Sequence, residues 1–280
     1  MSGMKEKLKN TVKKIPVLYF MFRCVRKIKR IAVYCCLVCA DLMRKRDKYC
    51  IICGHKVGKF MSGGIDEGVF TAHHIIGGGL RDNYTCIYCG HNDRERWQYY
   101  ILKKYSGLLE VGECSVLHFA AEKSNSDLIR RNRNCRYITA DIEPGRCDVS
   151  ADMTNLNMFD DNTFDCIIAN HVLEHIPDEA KAISELKRIL KGNGKIILSF
   201  PLCTDMKTYE DSSITTPEGR LKAFGQTDHV RLYGTDYKER LESYGLNVKV
   251  YSPQNELTDE EITRCGFIHD DISIFCTLKH

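Results

Sequence analysis

Apolar and polar positions change their rhythm several times along the chain. From about residue 113 to 280, short apolar runs of strand length alternate with helical patterns, the signature of a sheet with helices on both faces. Residues 115–120 predict a first strand, followed by a helix near 125–133. Residues 136–140 predict a second strand that ends at Asp141. The run 164–170 predicts a buried strand. Residues 178–191 predict an amphipathic helix, because Ala182, Ile183, Leu186, Ile189 and Leu190 recur on one face and Asp178 can cap the start. Gly192-Asn193-Gly194 then predicts a turn into a strand over 195–200. Late strands over 247–251 and 271–278 close the series. The pattern predicts a doubly wound α/β domain.

Upstream, the rhythm divides the chain further. Residues 93–112 predict a connecting helix, residues 49–92 are rich in Cys, His and Gly, and residues 1–48 alternate apolar and basic blocks. The stretch 201–234 interrupts the α/β alternation at a place suited to a substrate lid.

Charge sharpens this division. Residues 1–48 hold 14 Lys and Arg against three acids (Glu6, Asp41, Asp47), a charge of +11; the chain total of +4 therefore leaves −7 for residues 49–280. A basic head on an acidic body suggests two jobs. The acidic body argues against wrapping nucleic acid over the whole surface. With 43% apolar residues and six prolines, the chain can bury a core and is not disordered. Its longest apolar runs, 15–22 and 31–40, are too short to span a bilayer. Fifteen cysteines would suit a secreted disulfide scaffold, but the number is odd, many lie in strand-like runs, and no signal-cleavage pattern follows the first segment. A reducing, cytoplasmic setting is expected.

The head itself has two apolar blocks, 15–22 and 31–42, bracketed by Lys13-Lys14, five basic residues within 23–30, and a basic cluster over 44–48. Such a segment can lie at the inner face of a membrane, with cations at anionic head groups and apolar side chains inserted. The alternatives are a basic helix packed on the acidic body and contact with RNA. The apolar blocks favour the membrane surface.

Four cysteines stand apart. Cys50-Ile51-Ile52-Cys53-Gly54 and Cys86-Ile87-Tyr88-Cys89-Gly90 are two CxxCG knuckles separated by 32 residues. The two-residue spacing lets both thiolates face one ion, and the glycine permits the tight turn. Four thiolates make a closed tetrahedral site, so the expectation is structural Zn²⁺ in a zinc-ribbon-like module that braces the following domain. His55, His73, His74 and His91 are nearby substitutes, each better read as a surface or supporting residue. The mixed charge of 92–97 makes a poor phosphate stripe.

In an open α/β sheet, ligands bind beyond the carboxyl ends of the strands. Three such ends carry suitable groups. Asp141, after the second strand, can accept from both hydroxyls of a ribose. Asp152, with Met153, lies about ten residues on and can accept from an adenine amino group. Asn170-His171 follows the buried strand at the centre of the crevice. The segments 160–165 (DDNTFD), 170–175 (NHVLEH), 185–191 (ELKRILK) and Gly194, with Asp152, resemble class I S-adenosylmethionine-dependent methyltransferases, and more narrowly the small-molecule "type 11" domains. The resemblance covers about residues 113–200. The stretches 208–211 and 224–234 are similar to a bacterial subgroup with an N-terminal Cys₄ zinc segment. It implies a Rossmann-like, mostly parallel seven-stranded sheet, and S-adenosylmethionine held by Phe119, Ala120, Ala121, Glu122, Asp141, Asp152, Met153, Asn170 and His171. One departure is clear: His118-Phe119-Ala120-Ala121-Glu122-Lys123 replaces the usual Gly-rich loop. Small alanines still permit close backbone approach.

Methyl transfer is an in-line displacement at an activated carbon, so the protein aligns the acceptor and removes its proton. The candidate bases are His229, with Asp228 beside it to fix its tautomer, and His171. His229 is favoured. Tyr209, Glu210, Asp211, Gln226, Arg231 and Tyr233 form a polar-aromatic set suited to a hydroxyl-rich ligand. The expected activity is O-methylation of a sugar or polysaccharide precursor, with small-molecule or glycan acceptors as partners. The alternatives are an rRNA or tRNA methyltransferase that docks RNA through the zinc module, and a non-catalytic zinc-scaffolded binding protein.

Overall fold

The computed structural model describes residues 16–64, 68–109 and 112–279. Lys13, Lys14 and Ile15, part of the predicted basic head, lie outside the described residues.

The head is one helix, α1 (Pro16–Leu42). Its end is anchored: Asp41, buried, accepts from the Gly58 backbone N–H at 2.7 Å and from Tyr88 Oη at 3.2 Å. Val25, Ile28, Ile31, Val33 and Tyr34 are exposed along it. No helix among the described residues is long and apolar enough to cross a membrane.

Two knuckles and a small ribbon follow. Lys48–Tyr49 pairs with Lys56–Val57, and Met61–Gly64 with Leu80–Thr85, both antiparallel. Helix α2 (Asp93–Tyr105) begins with a capping box, in which Asn92 accepts from the Glu95 N–H and Glu95 from the Asn92 N–H. It ends earlier than the predicted 112, because Ser106-Gly107 turns the chain; Gly107 has φ +75°.

The main sheet has seven strands: β1 (Cys114–Phe119), β2 (Cys135–Asp141), β3 (Val149–Ser150), β4 (Phe164–Asn170), β5 (Leu190–Ser199), β6 (Leu246–Tyr251) and β7 (Ser273–Leu278). Their order is β6-β7-β5-β4-β1-β2-β3. The pairs from β5 to β3 are all parallel, and β7 runs antiparallel to both neighbours. Successive side chains of one strand therefore serve two cores. Leu117, Ile167, Ala169, Ile196 and Leu198 face one side; Val116, Cys166, Ile168 and Ile197 face the other.

Helices fill both sides. Helix α3 (Lys123–Ile129) buries Leu128 and Ile129 beside Trp97, Ile101 and Leu102 of α2. Helix α4 (Glu179–Ile189) buries Ala182, Ile183, Leu186 and Ile189, the stripe that its periodicity predicted, and Asp178 caps it by accepting from the Lys181 N–H at 3.0 Å. The Gly192–Gly194 turn does not separate this helix from its strand. Leu190 already pairs with Phe164, and the register shift falls between Leu190 and Lys195, so the glycines form a bulge inside β5.

The 201–234 insertion carries α5 (Pro217–Phe224), capped by Thr216 and closed by Gly225 at φ +82°. Leu202–Cys203 pairs with Ile75–Ile76, stitching the insertion to the Cys-rich module. Helix α6 (Tyr237–Ser243) packs on β6, and α7 (Asp259–Cys265) has its own capping box at Thr258. Arg96 of α2 is fully buried and donates to the carbonyls of Tyr84, His91, Cys265 and Gly266, with Phe60 under its guanidinium at 3.9 Å. One side chain thus joins the knuckles, the helix and the chain end.

Candidate active site and metal centres

The four knuckle sulfurs converge. Cys50, Cys53, Cys86 and Cys89 place their Sγ atoms within 4.8 Å of one another, with Cys50–Cys89 at 3.7 Å and Cys53–Cys86 at 3.9 Å. Ligands about 2.3 Å from a tetrahedral Zn²⁺ are separated by about 3.8 Å, so the residues fit the ion. The two knuckles are copies in geometry. Gly54 and Gly90 have φ +76° and +77°, and each N–H donates to the first cysteine carbonyl at 2.9 Å. Hydrogen bonds from Cys86 and Cys89 pull the Cys50 thiol down to about 4, against burial, while the bonds to Cys50 and Cys86 push the Cys89 thiol up. No histidine joins it: His55 stacks on Tyr88, His73 meets Asp205, His74 meets Asp270, and His91 meets Glu95.

The crevice lies where the strand order reverses, between the carboxyl ends of β1 and β4. At the end of β1, Ala120 sits at φ +46° and donates its N–H to Ala140 O at 2.9 Å. This is the left-handed conformation a glycine would adopt, held here by an alanine. Glu122 begins the next turn. His118, fully buried in β1, donates from Nε2 to Glu122 at 2.9 Å while its Nδ1 meets Tyr137 Oη at 2.8 Å. Burial opposes ionisation of Glu122, but the His118 bond and charge outweigh it and hold the carboxyl below its ordinary value. His118 was not singled out in the sequence, where it reads as one more strand residue.

Asp141 ends β2. Its Oδ1 accepts from the Glu143 N–H at 2.9 Å, and no donor among the described residues reaches Oδ2. Asp152 is exposed and accepts from the Thr154 N–H and hydroxyl, both at 2.9 Å, while Met153 is buried beneath it. Asn170, at the end of β4, accepts from Ser199 Oγ at 3.1 Å; its buried Nδ2 has no partner.

His171 has φ +55°, and its N–H is fixed to Ser199 O at 2.7 Å. Its side chain is 25% exposed. Arg94, from the first turn of α2, places Nη1 3.2 Å from His171 Nε2. Burial and the Arg94 charge push the His171 imidazole below its ordinary value, so it is neutral near pH 7 and able to accept a proton. Arg94 was missed in the sequence because its 92–97 context looked like mixed surface charge.

Past His171 a short 3₁₀ turn, Leu173–His175, carries Glu174 and His175, and the insertion returns to it. The Val230 N–H donates to Glu174 O at 2.8 Å, which sets His229 beside this turn. The His175 and His229 rings meet edge to face at 4.6 Å. Asp228 does not orient His229 as its adjacency suggested. Its carboxylate is instead 3.2 Å from His175 Nδ1. His229 is buried, with Nδ1 toward Phe224 O at 3.3 Å, and burial lowers its basicity.

Three of the polar-aromatic set of the insertion, Glu210, Asp211 and Arg231, border a cavity of about 500 Å³ together with Glu179 and Arg240, but their charged groups are engaged within the protein. Arg231 is buried and donates to the carbonyls of Leu173, Ile176 and Pro177 and to Glu210. Tyr233 bonds Glu179, and Arg240 joins Glu179 and Glu210. Tyr209 packs on Phe224. These groups satisfy one another, since buried charges demand partners. A second open cavity bordered by the insertion, about 600 Å³, is mostly apolar, with Val69, Met206, Tyr209, Ile214 and Leu232 on its walls.

Residues 114–198 match the family described as "Methyltransferase domain". The matched stretch runs from β1 into β5 of the seven-stranded, mostly parallel sheet, whose strand order is Rossmann-like. Among solved structures, the chain is similar to the YcgJ protein of Bacillus subtilis (16% identity, 65% of this chain and 99% of that one, TM-score 0.44). It is also similar to a SAM-dependent methyltransferase of Archaeoglobus fulgidus (16%, 65% and 93%, TM-score 0.43). A third is the Burkholderia thailandensis 1,6-didemethyltoxoflavin-N1-methyltransferase with bound 1,6-didemethyltoxoflavin and S-adenosylhomocysteine (13%, 66% and 78%, TM-score 0.43). No curated protein matches the chain.

Proposed function

We propose that the protein is an S-adenosylmethionine-dependent O-methyltransferase whose acceptor is a hydroxyl of a sugar or glycan precursor. The reading is carried by one observation: a matched methyltransferase domain whose β1, β2 and β4 ends present Ala120, Asp141 and Asn170-His171 to one crevice. The residues fit the cofactor. Ala120 already holds the left-handed turn, Asp141 keeps an oxygen free for ribose, and Asn170 has a buried donor to give. Phe119, Ala121, Asp152 and Met153 flank the same strand ends. When bound, S-adenosylmethionine supplies an activated methyl carbon.

The chain supplies alignment and a base. An alcohol must lose its proton as it attacks, and His171 is a neutral imidazole open to the crevice. His229, favoured from the sequence, is closed off behind His175, which moves the proton-accepting role to His171. Glu210 and Arg231 of the polar wall pair with each other while bordering a cavity with Asp211, so the acceptor class rests on that cavity and on the need for a base.

Calorimetry with S-adenosylhomocysteine on zinc-loaded protein tests the reading. Binding is expected, weakened roughly 10-fold or more by Asp141→Ala, as for a lost ribose hydrogen bond. Absence of binding, or an Asp141→Ala variant that behaves like wild type, defeats it. The Cys₄ group is proposed to hold structural Zn²⁺. Helix α1, basic with exposed apolar residues, supports contact with an anionic membrane surface at the cytoplasmic face.

A further inference from the structure

One cluster beside the crevice is used by nothing described so far. Glu174 is 1% exposed, and neither carboxylate oxygen has a hydrogen-bond partner. His171 Nδ1 is 3.4 Å from Oε1, within ion-pair range but outside hydrogen-bond alignment. His229, also 1% exposed, leaves Nε2 without a partner. Ligand atoms from Glu174, His175 and His229 all lie within 4.8 Å of one another. A buried carboxylate with no donor is costly, by several kcal/mol on general grounds, unless a cation compensates it.

We propose that Glu174, His175 and His229 bind a divalent transition-metal ion that engages the acceptor hydroxyl; this rests on the methyltransferase reading for its role, not for its existence. The surrounding hydrogen bonds are those of metal-ligating histidines. His229 donates from Nδ1 to Phe224 O, and His175 Nδ1 faces Asp228, so each Nε2 keeps its lone pair. Metal ligands need this outer fixation of tautomer and ring angle. It explains why Asp228 turns to His175 rather than to its neighbour. Two imidazoles and one carboxylate form a borderline donor set that leaves coordination positions open, suited to Mn²⁺, Fe²⁺, Co²⁺ or Zn²⁺. His175 is 32% and His171 25% exposed at the side chain, so the open side faces the crevice.

The chemistry follows from the placement. A cation there draws electron density from a coordinated hydroxyl and lowers its pKa. The O–H proton passes to His171, the oxygen forms a bond to the methyl carbon, and the C–S bond breaks with its electron pair on sulfur. A neutral thioether and a methyl ether result. The substrate class is therefore an alcohol able to chelate, such as a vicinal diol.

The test uses full-length protein carrying one Zn²⁺ at the cysteines, titrated with Co²⁺ by calorimetry and visible absorption. One Co²⁺ per chain is expected, with d–d bands and no intense thiolate charge transfer. Glu174→Gln and His229→Gln should abolish it, and the half-exposed His175→Gln guards against a folding failure of the buried variants. Asp228→Asn should weaken binding roughly 10–100-fold, as for an outer-sphere partner. Asp205→Asn, within the separate His73–Cys203–Asp205 group, should leave this uptake unchanged, and loss of the Co²⁺ there instead would place the ion at that group. No Co²⁺ uptake beyond exchange at the cysteines, or uptake unchanged in His175→Gln and Glu174→Gln, overturns the site. Parallel titration with S-adenosylhomocysteine separates the two readings. Cofactor binding without Co²⁺ binding removes the metal and keeps the methyltransferase, and Co²⁺ binding without cofactor binding removes the metal's role in methyl transfer.

Discussion

At the level of single residues, function shows as local discomfort. Ala120 holds φ +46° where glycine would be unstrained. Replacing it should therefore stabilise the protein: Ala120→Gly is expected to gain about 1 kcal/mol, the left-handed penalty less the glycine entropy, read by urea denaturation. A loss instead would mean that the alanine methyl packs against something essential. Asp271 is a second such residue. Burial first, then the nearby Asp93 charge, pushes its carboxyl up to about 7, from 3.8. The folded state thus binds a proton that the unfolded state has already released across this interval, and stability contributed at low pH is lost as pH rises from about 3.8 through 7. Asp271→Asn should raise the melting temperature at pH 8 and leave it nearly unchanged at pH 3, below the ordinary carboxylate value. Equal shifts at both pH values would refute the assignment.

At the level of elements, α2 is the joint. Its first turn takes up the chain from the second knuckle, its Arg94 reaches His171, and its Arg96 collects carbonyls from the ribbon and from the end of α7. Arg96→Met should cost about 3 kcal/mol or more, since several buried carbonyls lose a charged donor at once. Removal of zinc with a chelator should lower the melting temperature, because the ion closes both knuckles. If α2 transmits that order, chelation also weakens S-adenosylhomocysteine binding, and unchanged affinity would show the module to be a brace with no reach into the crevice.

At the level of the molecule, the charge asymmetry becomes spatial. The +11 segment contains a helix whose end is pinned to the Cys-rich module by Asp41, while the acidic remainder contains the seven-stranded sheet and its crevice. Flotation with anionic vesicles should recover the full chain and leave a chain lacking residues 1–48 in the soluble fraction, with recovery falling at high salt. Equal behaviour of the two would end the membrane assignment.

Much of this was legible in the sequence, for reasons of range. The α4 stripe and its Asp178 cap, the β4 run and the paired CxxCG knuckles depend on residues a few positions apart, and backbone geometry alone fixes what such neighbours share. The Gly192–Gly194 bulge was misread as a turn because strand pairing, not local propensity, decides where β5 begins. The crevice was legible only in part. Strand ends could be located, so Asp141 and Asn170-His171 were found. The convergence of Glu174 and His175 with His229, the approach of Arg94 to His171, and the pairing of Arg231 with Glu210 and of Tyr233 with Glu179 join residues 21 to 77 positions apart. No periodicity links such distant positions. Sequence determined which elements form and which faces they bury; only the tertiary return of the chain decided which polar groups were spent on one another and which were left free for a ligand.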